Sequence, residues 1–277
     1  MPKGISLHIG LNAVDPKHYQ GWEGVLAACE SDAEDMASIA KGMGFSPEVV
    51  LTQAATRERI LAGLGKVASS LEPGDIFVLS YSGHGGQLPD LSGDETDQED
   101  ETWCLYDGEL VDDELYEALA RIPAGVRVLT LSDSCHSGTM LKEAFYQGIV
   151  GAAAQAQRME TSYRCMPGAV AQRTYRANKG LYDGLLQNTA LNDARSRVAA
   201  SALLISGCQD NQLSSDGTFN GLFTARLLSV WRNGSFAGSY RQFHNAIVRL
   251  MPPDQTPNYY FIGAPDREFE AQRPFTI

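Results

Sequence analysis

Two short segments of the chain contain residue types that together can perform nucleophilic catalysis. The first, SYSGHGGQ, places His84 among glycines, and the second, DSCHSGT, places Cys135 about fifty residues further on. A cysteine nucleophile needs a partner that favours its thiolate, and histidine suits this role because its charge changes near neutral pH. The sequence therefore indicates Cys135 as a candidate nucleophile and His84 as a candidate acid/base.

The glycines around His84 add a second chemical possibility. They let backbone N–H groups approach a substrate closely, and such groups can stabilise an oxyanion. We expect the amides of Gly85 and Cys135 to be these donors. His136 is a rival base, but in extended backbone it would point away from its neighbour. The alternative is a buried cysteine and a loop histidine that share no role.

An acidic residue lies close to the candidate nucleophile in the sequence. Asp133 comes two residues before Cys135, and residues i and i+2 of a strand share a face. A carboxylate on that face would favour a basic substrate side chain through charge-assisted hydrogen bonds. The alternative is an aspartate that caps a helix or orients a loop.

Strands and helices alternate along the chain and must position these residues. The segments GISLHIGLN, DIFVLSYSG, GVRVLTLSDS, SALLISGC and PNYYFIG are apolar and predict strands, with helical patterns between them. Ser31 or Asp32 is expected to cap the first helix, and Asp112 or Asp113 a later one. This order predicts an α/β fold with a mostly parallel sheet. Because ligands bind beyond the carboxyl ends of such strands, His84 and Cys135 would face each other if their strands are neighbours.

Composition limits the classes of function. The net charge of −12 argues against nucleic acid and anionic membranes as partners, because both need clustered basic residues. No apolar run approaches the roughly 18 residues of a membrane helix, and the first residues do not resemble a secretory signal, so we expect a cytoplasmic protein. The five cysteines are widely spaced without a CxxC pair, which argues against a disulfide framework or a four-cysteine zinc site.

The motifs together resemble those of caspase-like cysteine peptidases, specifically the metacaspase branch with its bacterial relatives. The matching segments are SYSGHGGQ, DSCHSGT, GDETDQEDE before VDDE, ACESDAEDM, ISGCQDNQLSSDG and QTPNYYFIG. The resemblance implies a caspase–haemoglobinase-like three-layer sandwich, with a central mostly parallel sheet flanked by helices. It implies one domain over 1–277, with a larger catalytic portion (1–141), an insert or linker (142–197) and a smaller C-terminal portion (198–277).

The activity that this resemblance implies is endopeptidase cleavage after Arg or Lys, through a Cys-His dyad and a thioester acyl-enzyme. Asp133 and Asp32 match acidic residues of the metacaspase substrate pocket, and Ser82 and Cys29 match lesser pocket positions. The alternatives are a caspase-like peptidase of other specificity and a non-catalytic member that binds peptides or partners. The expected partners are protein or peptide substrates, and the expected state is a monomer.

Calcium is a possible cofactor, since many metacaspases need it. The ligands that match the family are Asp100, Asp112 and Asp113. A fourth acidic ligand is expected where this chain has Lys142, and a cation there would oppose calcium binding, although Glu143 is a possible substitute. The acidic loop is not an EF-hand, and a solvated acidic loop is the other interpretation. The chemistry itself requires no cofactor.

The insert is rich in basic residues and shows no clear helical or strand pattern. A peptidase that cuts after basic residues could cleave its own flexible linker. This hypothesis predicts fragments that end at Arg158, Arg164, Arg173, Arg176 or Lys179. The alternative is an ordered insert that covers the site or packs as helices.

Overall fold

The computed structural model describes residues 1–89, 91, 99–134, 163–207, 216–217, 219–253 and 255–277. Its central six-stranded sheet has the order β2-β1-β3-β7-β8-β9, and a second sheet has the order β4-β5-β6. The strands are β1 (Gly4–Gly10), β2 (Ser46–Leu51), β3 (Ile76–Ser82), β4 (Gly85–Pro89), β5 (Glu99–Leu105), β6 (Gly108–Val111), β7 (Arg127–Asp133), β8 (Ser201–Ser206) and β9 (Asn258–Gly263).

In this part of the chain the helices are α1 (Cys29–Gly42), α2 (Arg57–Ser70), α3 (Asp112–Ala120), α4 (Gly168–Ala177), α5 (Lys179–Leu186), α6 (Thr189–Asn192), α7 (Ala194–Arg197), α8 (Leu222–Trp231), α9 (Tyr240–Val248) and α10 (Arg267–Ala271). Short 3-10 turns occur at Thr52–Ala54 and Arg232–Gly234. None of the helices in the described residues is long and apolar enough to cross a membrane.

Both faces of the central sheet are covered, which explains why β3 is a nearly continuous apolar run. All seven residues of β3 are buried. Phe77 and Leu79 pack in one core with residues of α2 and α3, such as Leu64. Ile76 and Val78 pack in the other core, with residues of α1, α8, α9 and α10. This alternation confirms the predicted three-layer arrangement.

The central sheet is mostly parallel, as the alternation of elements predicts. β2, β1, β3, β7 and β8 pair in parallel, and β9 is antiparallel to β8. The pairing of β3 with β7 sets Ser82 opposite Asp133. The strand that leads to His84 and the strand that leads toward Cys135 are therefore neighbours that end at the same edge.

The N-terminal caps expected for two helices are wrong. α1 begins at Cys29, so Ser31 and Asp32 lie inside it, and the side chain of Asn12 accepts the N–H of Cys29 at 2.9 Å. α3 begins directly at Asp112. The carboxylate of Glu114, rather than Asp112 or Asp113, accepts the N–H of the residue before the helix at 3.2 Å. Release from a capping role leaves Asp32 available for other contacts.

Much of the insert is ordered. Residues 163–197 include α4 to α7. α4 and α5 pack on the second sheet and on the loop after β1, whereas α6 and α7 pack against α3. The Tyr182 hydroxyl lies 2.7 Å from Nε2 of His18, and it accepts the N–H of Glu109 at 3.1 Å. This part of the insert matches the alternative of packed helices. Residues 135–162, which include Arg158, lie outside the described residues.

Candidate active site

The imidazole of His84 lies at the carboxyl end of β3 and is almost completely buried. Its Nε2–H donates to the carbonyl oxygen of Gly24 at 3.0 Å, and its ring centroid is 4.7 Å from that of Trp22. Because a carbonyl can only accept, Nδ1 is the nitrogen without a proton. Nδ1 has no hydrogen-bond partner among the described residues. The ring is therefore oriented with a basic nitrogen available.

Burial lowers the pKa of His84 to about 4, although the backbones of Gly24 and Cys165 act in the opposite direction. The imidazole is consequently neutral near pH 7 and able to accept a proton. Its expected partner, Cys135, lies outside the described residues, as does His136. The structure describes β7 up to Asp133, and then Ser134.

Arg164 occupies the space where Asp32, Ser82 and Asp133 converge. Its side chain is 0% exposed. Nη2 lies 2.7 Å from Oδ2 of Asp32, and Nη1 lies 3.0 Å from Oδ2 of Asp133. Nη1 also donates to the hydroxyl of Ser82 at 2.7 Å and to the backbone carbonyl of Asp133 at 3.1 Å. The predicted pocket residues thus surround a basic side chain of the same chain.

The ionisation of this pocket follows from burial and charge. Burial raises the pKa of Asp32 to about 6, and the Arg164 guanidinium offsets this only in part. Burial alone would lower the pKa of Arg164, but the carboxylates of Asp133, Asp32 and Asp216 keep it well above its usual value. An uncharged or acidic side chain in this place would leave several buried carboxylates unpaired, which is costly. The pocket therefore favours a cation.

Backbone hydrogen bonds also hold the chain on both sides of the bond after Arg164. The N–H of Gly85 donates to the carbonyl oxygen of Arg164 at 3.0 Å, and the N–H of Met166 donates to the carbonyl of Gly85 at 2.8 Å. Gly85 and Cys165 form a parallel bridge. The carbonyl oxygen of Arg164 thus faces the N–H of Gly85, the predicted oxyanion donor next to His84 in the chain.

Asp216 is a pocket residue that the sequence did not indicate. Its Oδ1 lies 3.0 Å from Nη2 of Arg164, and its side chain is 4% exposed. It belongs to a short segment, Ser-Ser-Asp-Gly, whose composition suggests only a turn. An acid shortly before the Asn220–Gly221 pair at the start of α8 is the signal that could have identified it.

Two further residues shape the pocket without carrying charge. Cys29 is fully buried, and burial raises the pKa of its thiol to about 12, so it lines the pocket as an unreactive group. A Cβ atom on Gly221 would lie 2.5 Å from Cζ, Nη1 and Nη2 of Arg164. The absence of a side chain at this position makes room for the guanidinium.

The expected calcium ligands do not form a metal site in the described residues, where no three His, Cys, Asp or Glu side chains are arranged to hold an ion. Asp100 is buried on β5. Asp112 and Asp113 lie in the first turn of α3, where Oδ1 of Asp112 accepts the N–H of Asp113 at 2.9 Å. The acidic loop at 92–98, Lys142 and Glu143 are outside the described residues. Calcium binding stays a prediction.

The structure brings together most of the residues that the motifs singled out. His84, Gly85 and the pocket residues Cys29, Asp32, Ser82 and Asp133 lie around Arg164 and the bond that follows it. Asp100, Asp112 and Asp113 take no part in the described contacts of this pocket.

Comparison with known proteins identifies the family. The caspase domain model matches residues 13–267. Metacaspase-1 of Schizosaccharomyces pombe is 31% identical over 259 residues, covering 83% of this chain and 59% of that protein. Metacaspase-1 of Mycosarcoma maydis is 30% identical over 277 residues, covering 90% of this chain and 67% of that protein. The chain thus spans between about half and two thirds of the length of the curated relatives it matches.

Solved structures show the same fold. The crystal structure of protein GSU0716 from Geobacter sulfurreducens is 60% identical and superposes with a TM-score of 0.88 over 99% of each chain. Caspase-1 from Spodoptera frugiperda is 10% identical, with a TM-score of 0.56 over 95% of this chain and 86% of that chain, and at this identity it shows the fold alone. The protein belongs to the caspase domain family, as a metacaspase-like member. The bacterial type stays a prediction.

Proposed function

We propose that the protein is a cysteine endopeptidase that hydrolyses peptide bonds after Arg or Lys, with Cys135 as nucleophile. The observation that carries this proposal is the position of Arg164 in the acidic pocket. Its guanidinium lies among the carboxylates of Asp32 and Asp133, and its carbonyl oxygen accepts a hydrogen bond from Gly85. This is the arrangement that a substrate residue before a scissile bond needs, with the side chain bound and the carbonyl polarised.

The proposed reaction begins with transfer of the thiol proton of Cys135 to Nδ1 of His84. The thiolate attacks the carbonyl carbon, and the negative charge on the oxygen is stabilised by the amides of Gly85 and Cys135. The C–N bond then breaks, and the leaving amine takes the proton from His84. Water hydrolyses the resulting thioester, giving a carboxylate and restoring the thiol.

Fluorogenic peptides that end in Arg, Lys or Asp before the reporter test this function. We expect cleavage after Arg and Lys, none after Asp, and no cleavage by Cys135→Ala. Parallel reactions with calcium and with a chelator test the predicted role of Asp100, Asp112 and Asp113. Cleavage after Asp in preference to Arg and Lys would support the alternative of another specificity. Silence toward all peptides and toward the chain itself would support the non-catalytic alternative.

The same chemistry is proposed to act on the chain's own bond between Arg164 and Cys165. The other described candidates, Arg173, Arg176 and Lys179, are exposed and lie in α4 and α5. A helical backbone keeps its carbonyls in intrahelical hydrogen bonds and does not present an extended scissile bond. Of the four described candidates, only Arg164 has an extended backbone that bonds to Gly85 and a side chain in the acidic pocket.

Matched arginine variants test this assignment. Arg164→Gln is expected to abolish self-cleavage in the insert, whereas Arg173→Gln, an equal change on an exposed helix surface, is expected to leave it intact. Gel electrophoresis of freshly purified protein over time gives the rate of fragment formation. Unchanged fragments in Arg164→Gln would show that the chain is cut elsewhere.

A further inference from the structure

Every N–H group of the Arg164 guanidinium has a hydrogen-bond acceptor in the pocket. One of these acceptors, Asp216, has no role predicted from the sequence. Nη1 donates to the Ser82 hydroxyl and to the carbonyl of Asp133, and Nη2 donates to Asp32. Oδ1 of Asp216 accepts from the remaining two N–H groups, those of Nη2 at 3.0 Å and Nε at 3.4 Å. Each of the five N–H donors of the arginine therefore makes a hydrogen bond.

Asp216 is oriented by the protein as well as by the arginine. Its second oxygen, Oδ2, accepts the N–H of Ala27 at 2.8 Å, from the loop before α1. This bond leaves Oδ1 to face the guanidinium. A carboxylate that is fixed in this way loses less freedom when a basic side chain binds, which increases its contribution to affinity.

We propose that Asp216 is a substrate-binding residue that makes the pocket select Arg over Lys before the scissile bond. This inference rests on the proposed function, because it concerns the same pocket. The carboxylate of Asp216, which lies beside Nε, would distinguish Arg from Lys, whereas Asp32 and Asp133 attract either cation.

The selectivity follows from the number and geometry of donors. A lysine ammonium has three N–H donors at one point, and it has no group at the position of the arginine Nε. It can satisfy Asp32, Asp133 and Ser82, but then it has no donor left for Asp216. A buried carboxylate without its partner costs more than an ordinary hydrogen bond contributes, so lysine is disfavoured.

Self-cleavage offers a test in which the substrate residue is part of the chain. Four proteins are compared: wild type, Arg164→Lys, Asp216→Asn and the double variant. In wild type, we expect Arg164→Lys to slow cleavage by about 10- to 100-fold, the equivalent of one lost charge-assisted hydrogen bond. In the Asp216→Asn protein, Arg164→Lys is expected to slow self-cleavage by less than about threefold. Asp193→Asn, at an exposed aspartate, is the matched control and should behave as wild type.

The amide of Asp216→Asn cannot replace the carboxylate in both contacts. One side of the amide is an NH₂ group, so it would face either the N–H of Ala27 or the guanidinium with donor against donor. A purely structural role of Asp216 predicts that both the Arg and the Lys forms lose cleavage by the same factor. That result would overturn the inference.

A second readout needs no activity. In the Cys135→Ala background, the urea midpoints of the same four proteins give the coupling between positions 164 and 216. We expect the double variant to lose clearly less stability than the sum of the two single variants. Additive losses would overturn the proposed contact. If this coupling is found but the protein with Cys135 intact cleaves neither itself nor peptides, the endopeptidase proposal is refuted and the contact still stands.

Discussion

A single methyl group at position 221 should weaken the binding of an arginine side chain in the pocket. Gly221 precedes α8, and its φ of −59° and ψ of 154° are accessible to alanine, so Gly221→Ala does not strain the backbone. Its N–H, which donates to Oδ1 of Asp32 at 3.0 Å, is retained. The change therefore acts on the space that the guanidinium of Arg164 occupies.

The size of the effect follows from the geometry. The added Cβ would lie 2.5 Å from three guanidinium atoms of Arg164, whereas carbon atoms in favourable contact lie about 3.5–4.0 Å apart. The guanidinium must shift by about 1 Å, and the surrounding carboxylates oppose this. Overpacking costs about 1–3 kcal/mol, and one weakened charge-assisted hydrogen bond costs about 1.5–3 kcal/mol. Together these costs amount to at least about 2.5 kcal/mol, which corresponds to self-cleavage that is slower by roughly 60-fold or more.

The assay is the rate of fragment formation by freshly purified protein, with thermal unfolding as a check on folding. Gly184→Ala is the matched control. This glycine lies in α5, and an added Cβ would meet no described atom within 4 Å apart from its chain neighbours and its own helix backbone, so the substitution should leave the rate unchanged. Gly221→Ala that folds and cleaves itself at the wild-type rate would refute the assignment of this space to the arginine side chain.

Three further predictions concern titration and catalysis. Ser82→Ala removes a 2.7 Å hydrogen bond that lowers the pKa of Asp32, so this pKa should rise further above its present value of about 6. Because a charged Asp32 binds the substrate cation, the acidic limb of kcat/KM for Arg peptides should move to higher pH. Burial raises the pKa of Glu109 to about 7, so the wild type loses roughly 3–4 kcal/mol of stability as pH rises from about 4.3 through 7. Glu109→Gln lacks this loss, and its Tm relative to wild type should be higher at pH 8 than at pH 5. His84→Ala removes the proposed acid/base and should lower kcat by about 10²- to 10⁴-fold in peptide assays.

Each of these predictions has an outcome that would contradict it. An acidic limb that stays in place in Ser82→Ala would show that Asp32 does not control binding of the cation. A Tm difference for Glu109→Gln that is the same at both pH values would show that the buried carboxyl keeps an ordinary pKa. A His84→Ala protein with near wild-type kcat would exclude His84 as the base.

Most of the central sheet could be predicted from the sequence because β1, β3, β7 and β8 are buried on both faces and therefore appear as apolar runs. β2 is largely exposed and was not predicted. The sequence left open whether β3 and β7 are neighbours, and the sheet order shows that they pair. The second sheet was not predicted. β4 consists of Gly-Gly-Gln-Leu-Pro, which has little intrinsic strand preference. It becomes a strand because it pairs with β5.

A pocket residue could be predicted only where strand alternation or the resemblance to metacaspases assigns it a role. Asp133 follows from its position in a strand, and Asp32 from the resemblance to metacaspases. Asp216 lies in a segment without periodicity, and its role depends on contacts with residues far away in the chain. Arg164 was one of five basic candidates in the insert. Its place in the pocket depends on the tertiary contacts of residues 163–166, which local sequence does not encode.

The most direct test of the account is to identify the new chain ends in purified wild-type protein and in Cys135→Ala by mass spectrometry. We predict that wild type yields fragments 1–164 and 165–277, divided between Arg164 and Cys165, and that Cys135→Ala stays intact. The same fragments in Cys135→Ala, or a wild-type chain that stays intact at this bond while it cleaves Arg peptides, would contradict the assignment of Arg164 as the residue bound for cleavage.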